Sequence, residues 1–119
     1  MEVCVPRVFD ETELLERVDN DWEFLSETVA MLSSDGPALM NEIEKSLAVG
    51  DAASVGRAAH TLKGMISNFC SSSTHAAAFQ VEQIGKSGDL TSAPQAVKTL
   101  EDQLKTLTTE LNDFLAKRA

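Results

Sequence analysis

Apolar residues along the chain recur at intervals of three and four positions, which is the period of an α-helix. The clearest stripe runs from 51 to 69 and contains Ala52, Val55, Ala59, Leu62, Ile66 and Phe69. Comparable stripes predict a short helix over about 11–18, a helical stretch from Asp21 to Gly50, a helix over about 74–86, and a last one starting at 91–94. The pattern therefore predicts an all-α fold: an antiparallel up-and-down four-helix bundle preceded by a short N-terminal helix.

Capping residues sharpen the predicted boundaries. Asp10, Asp21 and Asp51 each precede an apolar stripe, as N-cap residues do, and Gly50 is typical of a helix end. The pair Gly36-Pro37 interrupts the second stripe without changing its phase. Either two helices abut there or one long helix kinks at the proline.

Length and composition fit one helical domain. The chain has 119 residues, so we predict a single domain over 1–119 with a loose segment at 1–8. The net charge of −9 argues against nucleic acid as a partner, because phosphate backbones are bound by clustered Lys and Arg. No apolar stretch is long enough to span a bilayer, and the start does not resemble a signal peptide. Cys4 and Cys70 form neither a metal-ligand spacing nor a disulfide framework, which favours the cytoplasm and predicts no bound metal.

One face of the helix predicted over 51–69 is unusual. By helical spacing it carries Ala53, Gly56, Arg57, His60, Lys63, Gly64 and Ser67. Apart from the imidazole and two cations, these side chains are very small, and each mid-helix glycine costs about 1 kcal/mol relative to alanine. Small residues let another protein surface approach, although glycines in a helix can instead mark a tight helix–helix contact. A lone histidine beside a core stripe is most often a boundary residue. A neutral, partly exposed imidazole can, however, act as a nucleophile near pH 7, and neighbouring cations suit a phosphoryl group.

The string Ala58-Ala59-His60-Thr61-Leu62-Lys63-Gly64 resembles the His-x-Leu-Lys-Gly signature of histidine-containing phosphotransfer domains. The resemblance extends over nearly the whole chain, through segments 9–18, 48–51, 81–82 and 88–90. One departure is Cys70, which stands where members of the family commonly carry a glycine.

The resemblance implies that His60 is the phosphoacceptor and that Lys63 supports the charge of the phosphate. Gly64 would provide the bare patch against which a receiver domain docks. Glu82 stands where some members place a glutamine that binds the active imidazole. A carboxylate there could orient His60 and raise its basicity, or repel the phosphate, and both alternatives stay open. Further residues expected to support docking are Arg57 and Ser67, together with Met65 and Phe79 as exposed apolar residues around the histidine. For Met65 and Phe79 the alternative is ordinary packing at the edge of the core.

The expected function is that of a phosphocarrier, not an enzyme, which accepts a phosphoryl group from a receiver-domain aspartate on His60 and passes it to another receiver. The partners would be response-regulator receiver domains, either separate proteins or parts of a hybrid histidine kinase, and the chain would be a monomer without membrane contact. No cofactor is expected, since Mg²⁺ would belong to the receiver, and the lack of a nucleotide-binding loop argues against autokinase activity. The alternative is a helical docking module that carries no phosphate. A metal-binding bundle enzyme is disfavoured, because there are no Glu-x-x-His pairs.

Overall fold

The computed structural model describes residues 8–118, with side chains as far as Lys117, and this part of the chain contains helices and no strand. The elements are α1 (Glu11–Arg17), α2 (Trp22–Ala48), α3 (Ala52–Ile66), a 3-10 turn (Ser67–Phe69), α4 (Ser72–Ser87) and α5 (Ala93–Arg118). The predicted all-α class is confirmed. The predicted loose segment 1–8 lies outside the described residues except for Val8, whose N–H donates to Oε1 of Glu110 at 2.8 Å.

The three predicted N-caps begin α1, α2 and α3. The side chains of Asp10, Asp21 and Asp51 each accept a hydrogen bond from the backbone N–H three residues on, at 2.9, 3.0 and 3.1 Å. These bonds satisfy N–H groups that have no partner within the helix, which is why the helices start at these positions.

Pro37 lies inside α2, which is one continuous helix of 27 residues, so the alternative of two abutting helices is wrong. Pro37 itself is exposed, whereas Gly36 is buried against α5. A Cβ atom at Gly36 would lie 3.3 Å from Leu104 Cδ2. The apolar face of α2 therefore continues past the proline, in agreement with its unbroken phase in the sequence.

The helix predicted to extend to Phe69 ends earlier. The α-helical geometry stops at Ile66, the 3-10 turn follows, and Cys70 then adopts a left-handed conformation with φ of 57°. The carbonyl of Cys70 accepts a hydrogen bond from the N–H of Asp10 at 3.1 Å, which attaches the start of α1 to this turn. The tight turn reverses the chain within a few residues and brings α4 alongside α3.

The long helices enclose one core. Helix α2 packs on α3 and α5, and α4 packs on the same two helices. The α3 stripe is buried along its length from Val55 to Phe69, while Ala52 at its start is half-buried. The largest fully buried apolar side chains include Leu14, Leu25, Leu32, Ile43, Leu62, Ile66, Leu100, Leu107 and Leu111. The opposite side of α3 is thereby left beside α4 at the molecular surface, where His60 lies. None of the described helices is long and apolar enough to cross a membrane.

Candidate functional site

His60 lies in the middle of α3, and its side chain is 68 % exposed. One ring nitrogen, Nδ1, lies 2.9 Å from Oε2 of Glu82 on α4. An ionised carboxylate can only accept a hydrogen bond, so this contact places a proton on Nδ1. In the neutral ring the lone pair is then on Nε2, which is the arrangement of a nucleophile supported from one side.

The Glu82 carboxylate is 1 % exposed, and cations on both helices surround it. Nζ of Lys63 lies 2.7 Å from Oε1 of Glu82, which is an ion-pair distance, although the angles at this contact are not those of a hydrogen bond. Nζ of Lys86 lies 3.1 Å from Oε2. Contact with Lys63 is the largest cause that lowers the pKa of Glu82. Together with the contacts to Lys86 and His60 it outweighs burial, which acts in the opposite direction, and the pKa falls to about 2. The carboxylate is therefore ionised throughout the neutral range.

Lys63 connects this cluster to an aromatic side chain. Its own side chain is 20 % exposed, and Nζ lies 5.1 Å from the centre of the Phe79 ring, a cation–π distance. Phe79 is 46 % exposed. The structure thus brings together four of the predicted site residues, His60, Lys63, Phe79 and Glu82, in one contiguous network.

A shallow groove of about 800 Å³ opens beside His60 between α3 and α4. Its lining consists mainly of small residues and cations: Ala52, Ala53, Gly56, Arg57, Thr61, Gly85, Lys86 and Gly88, with His60 and Glu82. Arg57 is exposed here and donates to Oγ of Ser54 at 2.9 Å.

The two glycines of α3 have different roles. Gly56 is buried against α4, where a Cβ atom at Gly85 would lie only 2.5 Å from the Gly56 nitrogen. The missing side chain of Gly85 permits this close helix contact, and Gly56 itself also lines the groove, so helix contact and an open surface, the two roles a glycine inside a helix can have, are both present at Gly56. Gly64 is exposed, and a Cβ added there would meet nothing within 4 Å. Gly64 leaves a bare surface near His60 outside the groove.

The remaining predicted residues lie outside the network. Ser67 is exposed, and its hydroxyl donates to the carbonyl of Gly64 at 2.7 Å. Met65 is half-buried against the core and does not line the groove. The other histidine of the chain, His75, is not a predicted site residue, and it lines a separate pocket of about 500 Å³ together with Cys70. No three metal-ligating side chains converge anywhere in residues 8–118.

Sequence reasoning missed two residues of the site, Lys86 and Gly85. Lys86 follows Glu82 by four positions, which on a helix is the spacing of an ion pair. Gly85 is a glycine inside the last turn of α4, and it faces Gly56 on α3. Both signals are present in the sequence, but they become informative only once α3 and α4 are known to be adjacent.

Comparison with known proteins agrees with this geometry. The sequence model of the Hpt domain family matches residues 27–112, which include every residue of the network. A solved structure, histidine-containing phosphotransfer protein B (HptB) from Pseudomonas aeruginosa PAO1, superposes with a TM-score of 0.78 at 19 % sequence identity, over 95 % of this chain and 98 % of that one. At this identity the likeness shows the fold. No match is found among curated protein sequences.

The family match covers well over half of the chain and contains the exposed histidine with its cationic surroundings. The chain therefore belongs to the Hpt domain family, and its activity is histidine phosphotransfer with receiver domains in a two-component phosphorelay.

Proposed function

We propose that His60 is the residue of this chain that carries the phosphoryl group, accepting it at Nε2 from a receiver-domain aspartate and passing it to another receiver. The observation that carries the proposal is the contact between Nδ1 of the exposed His60 ring and the buried Glu82 carboxylate. This contact fixes the tautomer, leaves the Nε2 lone pair available and limits rotation of the ring.

The chemical step requires little of the bundle itself. The Nε2 lone pair attacks phosphorus, the N–P bond forms, and the bond from phosphorus to the aspartate oxygen breaks, releasing a carboxylate. Lys63 and the more exposed Lys86 stabilise negative charge on the transferred group. Both lysines lie near the ring, because both contact Glu82, which in turn contacts Nδ1 of His60. A metal ion and the acidic pocket that holds it would belong to the receiver, so we expect this chain to need no cofactor.

The receiver would cover His60 from the side of the molecule where α3 and α4 meet. The open surface at Gly64 and the exposed ring of Phe79 lie on the Lys63 side of His60, and the small-residue groove lies on the Arg57 side. Ser67 extends the surface at the end of α3. Half-buried Met65 would contribute only at its edge.

Several wider features belong to the same proposal. The four long helices run up and down in alternation. Contacts between neighbouring helices support this, because the residue number rises along one helix as it falls along the other. Such contacts join Gly56 to Gly85 and His60 to Glu82 between α3 and α4, and Gly36 to Leu104 and Ser33 to Asn112 between α2 and α5. We propose a cytoplasmic monomer without autokinase activity, acting alone or as part of a hybrid kinase.

Phosphotransfer from a labelled receiver tests the assignment of His60. Wild type and the control variant His75→Gln should take up label, whereas His60→Gln should not. Equal labelling of His60→Gln would overturn the assignment, and no labelling of wild type by any receiver would favour a docking module that carries no phosphate.

The role of Lys63 is tested in the same assay. Lys63→Ala should slow transfer about 10-fold or more, because removing a charge-stabilising group near the transferred phosphoryl group raises the activation free energy by about 1.4 kcal/mol or more. Lys98→Ala, a change at an exposed lysine of α5, is the control. An unchanged rate in Lys63→Ala would show that its contact with Glu82 is structural only.

A further inference from the structure

The carboxylate beside the His60 ring has a consequence for the phosphorylated state. Glu82 is negatively charged, 1 % exposed and 2.9 Å from Nδ1. An uncharged acceptor would also fix the tautomer. A buried carboxylate does more, since it stabilises positive charge on the ring that faces it.

The other charged groups around the ring do not cancel this effect. On α3 these are Arg57 and Lys63, and on α4 they are Glu82 and Lys86. Both lysines contact Glu82. Once Nε2 carries a phosphoryl group, its two negative charges offset the cations, and Glu82 remains the group in direct contact with Nδ1.

We propose that Glu82 keeps the Nδ1 proton on phosphorylated His60, so that the phosphohistidine remains an imidazolium at neutral and mildly alkaline pH. The inference rests on the proposed phosphorylation of His60 at Nε2. It makes Glu82 a positioning residue that also sets the protonation state of the intermediate.

Atoms and charge balance without an external acid or base. When neutral His60 attacks phosphorus, the ring gains a positive charge and Nδ1 keeps its hydrogen, which stays bonded to Glu82. When the next receiver aspartate attacks phosphorus, the N–P bond breaks and the electron pair returns to Nε2. Neutral imidazole then leaves, because the proton never departed from Nδ1. Without that proton the leaving group would be an imidazolate anion, which is far more basic and leaves far more slowly.

The protonation state can be read directly by nuclear magnetic resonance. The His75→Gln protein, in which His60 is the remaining histidine, is phosphorylated with phosphoramidate and titrated from pH 6 to pH 9 while the imidazole nitrogen shifts are followed. We expect Nδ1 to stay protonated to at least pH 8.5, and in Glu82→Gln to lose its proton at least one pH unit lower. Loss of the Nδ1 proton near pH 7 in the protein that retains Glu82 would overturn the inference, even if Glu82→Gln failed to fold.

Transfer kinetics supply a second readout. The ratio of transfer rates, wild type over Glu82→Gln, should rise about tenfold per pH unit once the variant loses its proton, because only the protonated fraction transfers. A pH-independent ratio would contradict the inference and leave Glu82 with a structural role. In the titration, Lys86→Gln is the matched control, since it removes a partner of Glu82 but keeps the carboxylate at Nδ1.

Phosphoramidate makes the two proposals separable. If the chemically phosphorylated protein keeps its Nδ1 proton but no receiver labels His60, the relay proposal fails while the inference about Glu82 stands. If receivers label His60 but the proton is lost near pH 7, the inference fails and the relay proposal stands.

Discussion

At the scale of single residues, Glu82 is the residue of the site that contacts His60, Lys63 and Lys86. A buried carboxylate is normally costly, and here its cost is offset by contacts with Lys63, Lys86 and His60. The same contacts give stability a definite dependence on pH, because they favour the ionised form of Glu82 in the folded state alone.

Acid should weaken the fold through Glu82. Its pKa is lowered from 4.5 to about 2 on folding, so its contribution is fully present above pH 4.5 and is lost as pH falls towards 2. Over this window the free energy of unfolding of wild type should fall more steeply than that of Glu82→Gln, by at most about 1.4 kcal/mol per pH unit. Urea denaturation at several pH values checks this. Parallel profiles for the two proteins would show that the carboxylate titrates alike in the folded and unfolded states.

Cys70 is a second residue with a measurable cost. Its φ of 57° lies in the left-handed region, which costs a residue with a Cβ about 1–2 kcal/mol. Cys70→Gly should therefore stabilise the protein by roughly 0.5–1 kcal/mol, after the greater flexibility of glycine in the unfolded chain is subtracted. Cys70→Ala is the matched control, since it keeps the Cβ and the strain. Equal midpoints of urea denaturation for the two variants would contradict this account.

Sequence reasoning reached some of these residues and not others. His60 and Lys63 could be selected because the histidine signature and the helical spacing are local, and Glu82 could be selected because it stands where some members of the family place a glutamine. The role of Glu82 could not, because it depends on how closely α4 approaches α3. The glycine that members of the family commonly carry at position 70 is consistent with a left-handed conformation there. That Cys70 adopts this conformation could be established only from the structure of the turn.

At the scale of elements, the site depends on how closely α3 and α4 pack. Their backbones meet at Gly56 and Gly85, one helical turn from the contact between His60 and Glu82. The two glycines are not equivalent. A Cβ at Gly85 would lie 2.5–2.9 Å from backbone atoms of α3, whereas a Cβ at Gly56 would make ordinary contacts at 3.5–3.6 Å.

This asymmetry predicts opposite effects of the same substitution. Gly85→Ala should destabilise the protein by about 1–3 kcal/mol, because backbone atoms cannot move aside without separating the helices. Gly56→Ala should be neutral or stabilise by up to about 1 kcal/mol through helix propensity. Urea denaturation of both variants tests the prediction. Equal destabilisation by the two would show that the contact is tight from both sides.

Periodicity predicted the elements well because each long helix has one continuous apolar face. The proline in α2 did not break that face, and so the phase of the stripe was a better guide than the identity of residue 37. The end of α3 was harder to predict. The apolar spacing continues through the 3-10 turn to Phe69. The side chain of Phe69 is still buried, although the α-helix has ended at Ile66.

At the scale of the whole molecule, charge is distributed unevenly. The chain has 19 acidic and 10 basic residues, yet the segment 52–88, which contains α3 and α4, has three basic residues and one acidic residue. The acidic one, Glu82, is buried among cations, so the surface around His60 is positive on a strongly negative protein. The aspartyl phosphate of a receiver would be attracted by the cations near His60 and repelled by the net negative charge of the rest of the protein.

The local field should dominate association at moderate salt. At 0.1 M ionic strength charges are screened beyond about 10 Å, so an approaching receiver senses the nearby cations more than the distant carboxylates. Raising NaCl from 50 to 500 mM should therefore slow phosphotransfer at limiting protein concentration, by roughly two- to tenfold. Arg57→Gln should lower the low-salt rate and flatten the salt dependence, whereas Lys98→Gln on α5 should change neither. A rate that rises with salt would mean that the net charge of −9 governs the encounter and that the cationic surface around His60 acts only after contact.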